Sequence, residues 1–479
     1  MTITCIRRAD WAIAWDGAEG RHVYRRDVDL AFDESGIRHL GPGYVGAADV
    51  ELDGRGRMVM PGLIDVHCHP SAQAIFRGYT EEFGNPRLFY SSRHRFRQAY
   101  EIDEEGLRAS AEFTLAELLA GGVTSVVDLS HAYPGWLDVL ARSGVRAWAA
   151  PMYRSATWYT DTGQQTLYEE HPDGGAAALE EAREVMDAAE RHPSGMLAAM
   201  VSPAQVDTCS ESLLRASVEL AAATGRPLHV HAAQSYAEFA GMTRRHDMTP
   251  IEWLHRLGFL GPRTIIGHAV FTDEHPWLHW PTRRDLGLLA STGTSIAHAP
   301  TVFARDGTLL HDLGRYVRAG VNVGIGTDTH PHNLLEELRW AEVLARVAAG
   351  PTHELGTARV FEAATVGGAR VLGRDDLGRL APGAAADVVV VDVTHPAMQP
   401  LRDPLRSLVY AAAERAVEHV FVAGRQVVDG GRVTTLDRAG AARRLADAQA
   451  RSGAAVARRD PNGLDVDAIA PLALPLADG

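Results

Sequence analysis

The sequence predicts an α/β fold, a central (β/α)8 barrel (a TIM barrel) with a small β-sandwich domain formed by both chain ends. Three observations carry this. Short alternating segments rich in Gly and Asp turns occupy residues 1–57 and return after about residue 376. Between them, eight short apolar runs alternate with long helical patterns. Many of those runs end in His, Asp or Gln, at the edge where such barrels carry their chemistry.

Along the chain, the first 57 residues read as strands such as CIRRADWAIAW and RRDVDLAFDESGIRHLG. From residue 58 the apolar runs are MVMPGLIDVHCH, TSVVDLSHA, RAWAAPMY, LAAMVSPA, PLHVHAA, TIIGHAV, TSIAHAP and VNVGIGTDT. Amphipathic patterns between them predict helices over 104–120, 176–191 and 210–223. Eight such β–α repeats suit a closed barrel better than an open, doubly wound sheet. After a last helix over 359–372, strand texture returns in GRLAPGAAADVVVVDV and VEHVFVAGRQVVDGGRV. Residues 436–479 read as an Ala/Arg/Asp-rich helix and a Pro-containing tail, lying on the surface or reaching a neighbouring subunit. The predicted division is 1–57 with 376–435 as a composite sandwich, 58–375 as the barrel, and 436–479 as an appendage.

Composition narrows the function. With 46% apolar and 23% charged residues, the chain of 479 reads as an ordinary globular protein. Its net charge of −14 opposes phosphate binding and argues against nucleic acid as a partner. All 47 basic residues are arginine, which excludes a Schiff-base lysine, a P-loop lysine and any metal centre bridged by a modified lysine. The three cysteines, Cys5, Cys68 and Cys209, form no CxxC and point to a reducing compartment. The N-terminus lacks the apolar core of a signal peptide, and no run of 18 apolar residues occurs. The expectation is a cytoplasmic homodimer or higher homo-oligomer, away from membranes, acting on a small molecule.

The strand ends carry the chemistry. His67 and His69 end the first run as HxH, and residues at i and i+2 of a strand share a face, so both imidazoles can reach one ion. The fifth run ends in His229-Val-His231, the sixth in His268 and the eighth in Asp328. Such a set at one barrel edge predicts a mononuclear site of three histidines and one aspartate. Cys68, between the two histidines, points away into the core.

PGLIDVHCH (61–69), HVHAAQ (229–234), IIGHAV (265–270) and GIGTDT (324–329) resemble the strand-end motifs of the amidohydrolase superfamily. GRLAPGAAADVVVVD (378–392) resembles the segment returning that family's chain to its sandwich. Order and spacing are most similar to the cyclic-amidine and triazine hydrolase branch, over residues 1 to about 435. The resemblance implies one divalent metal per chain, zinc or alternatively iron(II), on His67, His69, His231 and Asp328. It implies further that His268 hydrogen-bonds the metal's water. Asp328 would then take a proton from that water and pass it to the leaving group.

Other residues have weaker signals. His229 either lines the pocket, sharing a strand face with His231, or is a packed, hydrogen-bonded histidine. His298 ends the seventh run, where the family pattern places substrate contacts. Trp158, Tyr159 and Phe303 lie in loops after the third and seventh runs, where an aromatic ring either stacks on a planar substrate or simply packs. His330 and His332 follow Asp328 and read as loop-capping or solvent-exposed. Residues 70–101 are long enough for a lid or pocket wall.

One departure from the family pattern decides the expected reaction. Three residues after the fifth-run histidine, the deaminating branch has a glutamate that protonates a ring nitrogen, whereas this chain has Gln234. An amide hydrogen-bonds but cannot shuttle a proton. Glu238, one turn on, is a possible substitute. The first expectation is therefore hydrolysis of an amide, urea or carbamate-like C–N bond, with Gln234 positioning substrate while Asp328 and His268 handle protons. The alternatives are deamination of an N-heterocycle such as a triazine, purine or pyrimidine, and a degenerate barrel that binds a ligand without turnover.

Overall fold

The computed structural model describes residues 2–82, 98–161, 166–350 and 355–477. Five strands open the chain: β1 (Thr4–Asp16), β2 (Arg21–Asp33), β3 (Gly36–Gly41), β4 (Val50–Asp53) and β5 (Arg57–Pro61). Twelve more follow: β6 (Leu63–Cys68), β7 (Val123–Asp128), β8 (Arg146–Ala149), β9 (Met152–Tyr153), β10 (Ala156–Tyr159), β11 (Leu167–Glu170), β12 (Leu197–Ala199), β13 (Ser202–Pro203), β14 (Leu228–Ala232), β15 (Thr264–His268), β16 (Ser295–His298) and β17 (Val323–Ile325). The last four are β18 (Val388–Asp392), β19 (Val417–Val422), β20 (Arg425–Asp429) and β21 (Arg432–Val433).

Both chain ends meet in one nine-stranded sheet, in the order β21-β20-β19-β18-β5-β1-β2-β3 with β4 beside β1. The join is the antiparallel pair β18/β5, with Val390 opposite Val59. The sheet curls so that β2 and β19 face each other: the Phe32 and Phe421 rings lie 5.0 Å apart, over a core including Ile6, Leu30 and Val388. This sheet runs through Pro61, past the boundary expected at residue 57, because Arg57–Pro61 pairs with β18.

The eight apolar runs become β6, β7, β8, β12, β14, β15, β16 and β17. They pair in parallel as two four-stranded sheets, β12-β8-β7-β6 and β14-β15-β16-β17. Isolated parallel bridges join the sheets at both seams, Val201 to Leu228 and Cys68 to Asp328. The order of pairing thus returns to its start. Helices lie between successive strands, with side-chain caps where the sequence offers them, as at Asp103 before Glu104–Ala120 and Ser210 before Glu211–Thr224.

One expectation changes. The helix expected over 359–372 is broken into Thr357–Glu362, a π-turn Ala363–Gly367 and Gly368–Val371. The break lets Gly367 approach β17, where a Cβ would stand 2.6 Å from the Val323 carbonyl oxygen. The C-terminal helix Arg438–Arg459 packs on its own chain, against Glu104–Ala120, with Arg438 3.2 Å from Glu117. Its Gln449 Nε2 donates to the carbonyls of Ile75 (2.6 Å) and Arg77 (2.9 Å), bracing the segment after β6. Residues 83–97 of the expected lid segment lie outside the described residues.

Candidate active site

The ends of β6, β14 and β15 and the turn after β17 bring His67, His69, His231, His268 and Asp328 into one buried cluster. Local sequence makes this approach possible. A Cβ at Gly267 would lie 2.6 Å from His67 Cε1, and one at Gly326 would lie 2.6 Å from His67 Cβ. Only glycine leaves room for the His67 ring there. Asp328 itself holds a left-handed φ of 57°, a strained backbone of the kind found at functional sites.

Hydrogen bonds behind the cluster fix the imidazoles. His69 Nδ1–H donates to the Leu129 carbonyl (2.5 Å) and His231 Nδ1–H to the Ala204 carbonyl (2.6 Å). These bonds leave both Nε2 atoms as lone-pair donors, and the two stand 3.4 Å apart. Two lone pairs cannot hydrogen-bond each other. The buried His67 Nε2 likewise has no hydrogen-bond partner. Asp328 Oδ1 lies 3.2 Å from His69 Nε2 and 3.7 Å from His67 Nε2. A tetrahedral zinc at ordinary bond lengths separates its ligand atoms by about 3.3 Å. The donor set therefore fits a divalent cation.

Electrostatics agree with that donor set. Burial lowers the pKa of His231 and His268 well below the usual range, and nearby imidazoles lower it further, so both are neutral. Burial pushes Asp328 up, but His268, His67 and His69 outweigh it and hold the carboxyl well below the usual carboxylate range. The carboxylate divides its contacts, because Oδ1 faces His67 and His69 while Oδ2 lies 3.6 Å from His268 Nε2.

A cavity of about 440 Å³ opens over this floor. His69, His231, His268, Asp328, Gln234 and Trp158 all line it. His229 is elsewhere: fully buried, with Nε2 3.0 Å from His67 Nδ1, it sits beneath the floor and orients a neighbour. His298 is also outside the lining, buried beside His268. Phe303 packs edge-on against the His268 ring at 4.7 Å instead of facing the cavity. Tyr159 is half-buried and outside the lining. Neither His330 nor His332 is solvent-exposed. His330 bridges the Gln73 carbonyl and Glu81, and His332 Nδ1 lies 3.5 Å from Thr114 Oγ1. Cys68 is buried, with Sγ 3.4 Å from the Val127 carbonyl oxygen.

Glu238 does not take the place of a cavity acid. Its carboxylate accepts from the backbone N–H of Ala233 (2.6 Å) and Gln234 (3.1 Å), and it faces a small second cavity shared with Asp207. That geometry removes it as the substitute for the missing glutamate.

Several residues escaped the sequence reading. Asp65 is fully buried, accepts from His67 N and from Thr327 N and Oγ1 (2.7 Å), and so ties β6 to the turn bearing Asp328. Burial pushes its carboxyl up to about 7. Its signal was its position two residues before His67, on the same strand face. Arg154 and Gln205 line the cavity from connecting segments and carry no periodic signal, whereas Tyr100 lies within the 70–101 segment expected as a lid or pocket wall.

Comparison with known proteins is consistent with this geometry. A 5-methylthioadenosine/S-adenosylhomocysteine deaminase of Natronomonas pharaonis is 30% identical over 432 residues, covering 89% of this chain and 94% of that protein. A 5'-deoxyadenosine deaminase of Methanothermobacter thermautotrophicus is 28% identical over 396 residues, covering 82% and 87%. Among solved structures, an adenosine deaminase from Xanthomonas campestris with bound zinc matches with a TM-score of 0.79 at 24% identity, covering 94% and 98%. A zinc complex of atrazine chlorohydrolase from Arthrobacter aurescens matches with a TM-score of 0.76 at 25% identity, covering 95% and 100%. Residues 58–427 match the family model described as the amidohydrolase family, and on that match this chain belongs to the amidohydrolase family, as a metal-dependent hydrolase of a carbon–nitrogen bond outside peptides.

Proposed function

We propose that the protein is an aminohydrolase that replaces the exocyclic amine of a planar N-heterocycle by oxygen, consuming water and releasing ammonia. This sets aside the amide, urea or carbamate reading, because the two relatives compared above by sequence are a 5-methylthioadenosine/S-adenosylhomocysteine deaminase and a 5'-deoxyadenosine deaminase. The observation that carries the proposal is the convergence of the His69 and His231 Nε2 lone pairs and Asp328 on the floor of a cavity large enough for a nucleoside. The scaffold reads as a (β/α)8 barrel beside a sandwich made of both chain ends, with the C-terminal helix as an appendage.

In this reading His67, His69, His231 and Asp328 would hold one zinc, which when bound would supply a Lewis acid and a water of lowered pKa. Asp328 accepts the water's proton on Oδ2, beside His268, and returns it to the departing amine. His268, neutral through burial, hydrogen-bonds the carbon centre's developing oxygen. The Gln234 carboxamide hydrogen-bonds the ring nitrogen and fixes the heterocycle's register.

The test is ammonia release by the zinc-loaded protein from 5'-methylthioadenosine, S-adenosylhomocysteine, 5'-deoxyadenosine and aminated triazines, beside ureas, anilides and carbamates. Ammonia from a heterocycle, abolished by chelation and restored by zinc, is expected. Turnover confined to ureas, anilides or carbamates overturns the proposal, and metal binding without any turnover marks a ligand-binding relic.

A further inference from the structure

The hairpin β10/β11 places Trp158 directly opposite Tyr168. Both side chains reach the same atom: Trp158 Nε1–H donates to Asp207 Oδ2 at 3.0 Å, and Tyr168 O–H donates to it at 2.7 Å. Asp207 is 5% exposed and follows the short segment whose Ala204 carbonyl orients His231. Arg245 braces the arrangement, lying over the Tyr168 ring at 5.2 Å and donating to the Asp207 carbonyl. Trp158 and Gln234 each line both the substrate cavity and the small cavity behind it, so together they partition the two. The wall is thus an indole whose only polar atom is tied down on the far side. The apolar part of the same ring contributes to the lining of the substrate cavity.

We propose that Asp207 is a positioning residue: by holding the Trp158 indole N–H it presents that ring as a stacking wall, so the site selects ligands with a flat heteroaromatic ring. The proposal rests on the aminohydrolase reading for the identity of that ring. Asp207 itself does not line the substrate cavity and takes no part in the bond changes.

The experiment compares full-length zinc-loaded wild type with Asp207→Ala, Asp207→Asn, Trp158→Phe and the Asp207→Ala/Trp158→Phe double variant. Asp207→Ala and Trp158→Phe should each raise KM for the heterocycle ~10-fold, the upper end of the scale of one buried hydrogen bond. Their kcat should stay within about two-fold and zinc content should not change. Because both remove one interaction, the double variant should be no worse than either alone. Asp207→Asn keeps an acceptor oxygen and should restore most of the affinity. KM effects that multiply to ~100-fold in the double variant, or an Asp207→Ala loss confined to kcat, overturn the proposal. Tryptophan emission, with Trp158→Phe identifying the Trp158 contribution, supplies a readout without turnover. Asp207→Ala should shift that contribution to longer wavelength, and an unchanged spectrum overturns the proposal. A wild type that releases no ammonia fails the aminohydrolase reading alone, and the emission comparison still decides whether Asp207 holds Trp158.

Discussion

The floor of the cavity and its rim are built on opposite plans. The floor takes five side chains from four strand ends, and the supports of its imidazoles come from the same set of parallel strands: Leu129 just after the neighbouring β7 for His69, Ala204 for His231, and His229 on β14, across the cluster, for His67. The rim takes Phe76, Tyr100 and Arg154 from the segments that connect the strands and Trp158 from the β10/β11 hairpin, and its supports come from distant sequence. Gln449, in the C-terminal helix, holds the backbone at Ile75 and Arg77. The comparison teaches that reaction chemistry here depends on strand register, while substrate choice depends on long-range packing.

The sharpest way to break the floor is to remove one imidazole. His231→Ala should lose the metal, measured by elemental analysis, and turnover should fall ~10³-fold or more because the activated water goes with it. Asp328→Asn should cost ~100-fold in kcat, the usual scale for a general base, with KM little changed. Asp65→Ala leaves every floor side chain in place but unties His67 from Thr327. It should weaken metal affinity or activity ~10-fold, as loss of such outer supports does.

The rim should respond differently. Gln449→Ala should raise KM a few-fold, on the order of one hydrogen bond, with kcat and metal content unchanged. A fall in kcat or metal content instead would show that floor and rim are not separable. The smallest effect is expected behind the floor, where Glu337 accepts from Thr301 N and so holds the short helix bearing Phe303. Burial pushes its carboxyl up to about 8. The folded state therefore binds the proton more tightly than the unfolded state. That stabilisation is full below the ordinary carboxyl range and is lost as pH rises through 8. Glu337→Gln should flatten the decline of Tm between pH 5 and 8, a change of about 1 °C per kcal/mol for a chain of this size.

The floor was legible in the sequence because its determinants are short-range. Continuous apolar runs mark buried parallel strands, and i, i+2 spacing puts His67 and His69 on one face. Depth was not legible. His229 shares a strand face with His231, yet two residues along a strand is ~6.6 Å, enough to move a ring from the cavity to beneath it. Glu238 was ambiguous for a related reason. It lies in the first turn of the helix Tyr236–His246, and its carboxylate turns back to the N–H groups just before that helix. Asp207 left no trace, because its two partners lie 49 and 39 residues away in sequence. Gly367 and Gly368 were visible as residues within the expected 359–372 helix, but the π-turn that brings Gly367 against β17 was not.

The pairing of β5 with β18 has a consequence for synthesis. A ribosome completes β5 long before it reaches β18, and the roughly 330 residues between them take about 15–65 s at 5–20 residues per second. During that interval the apolar edge Met58-Val59-Met60 has no antiparallel partner on its β18 side, although it leads straight into the strand bearing His67 and His69. The nascent chain must therefore carry an open strand edge while the catalytic half is still being made, and that edge is where newly made chains of this protein would stick to one another or recruit a chaperone.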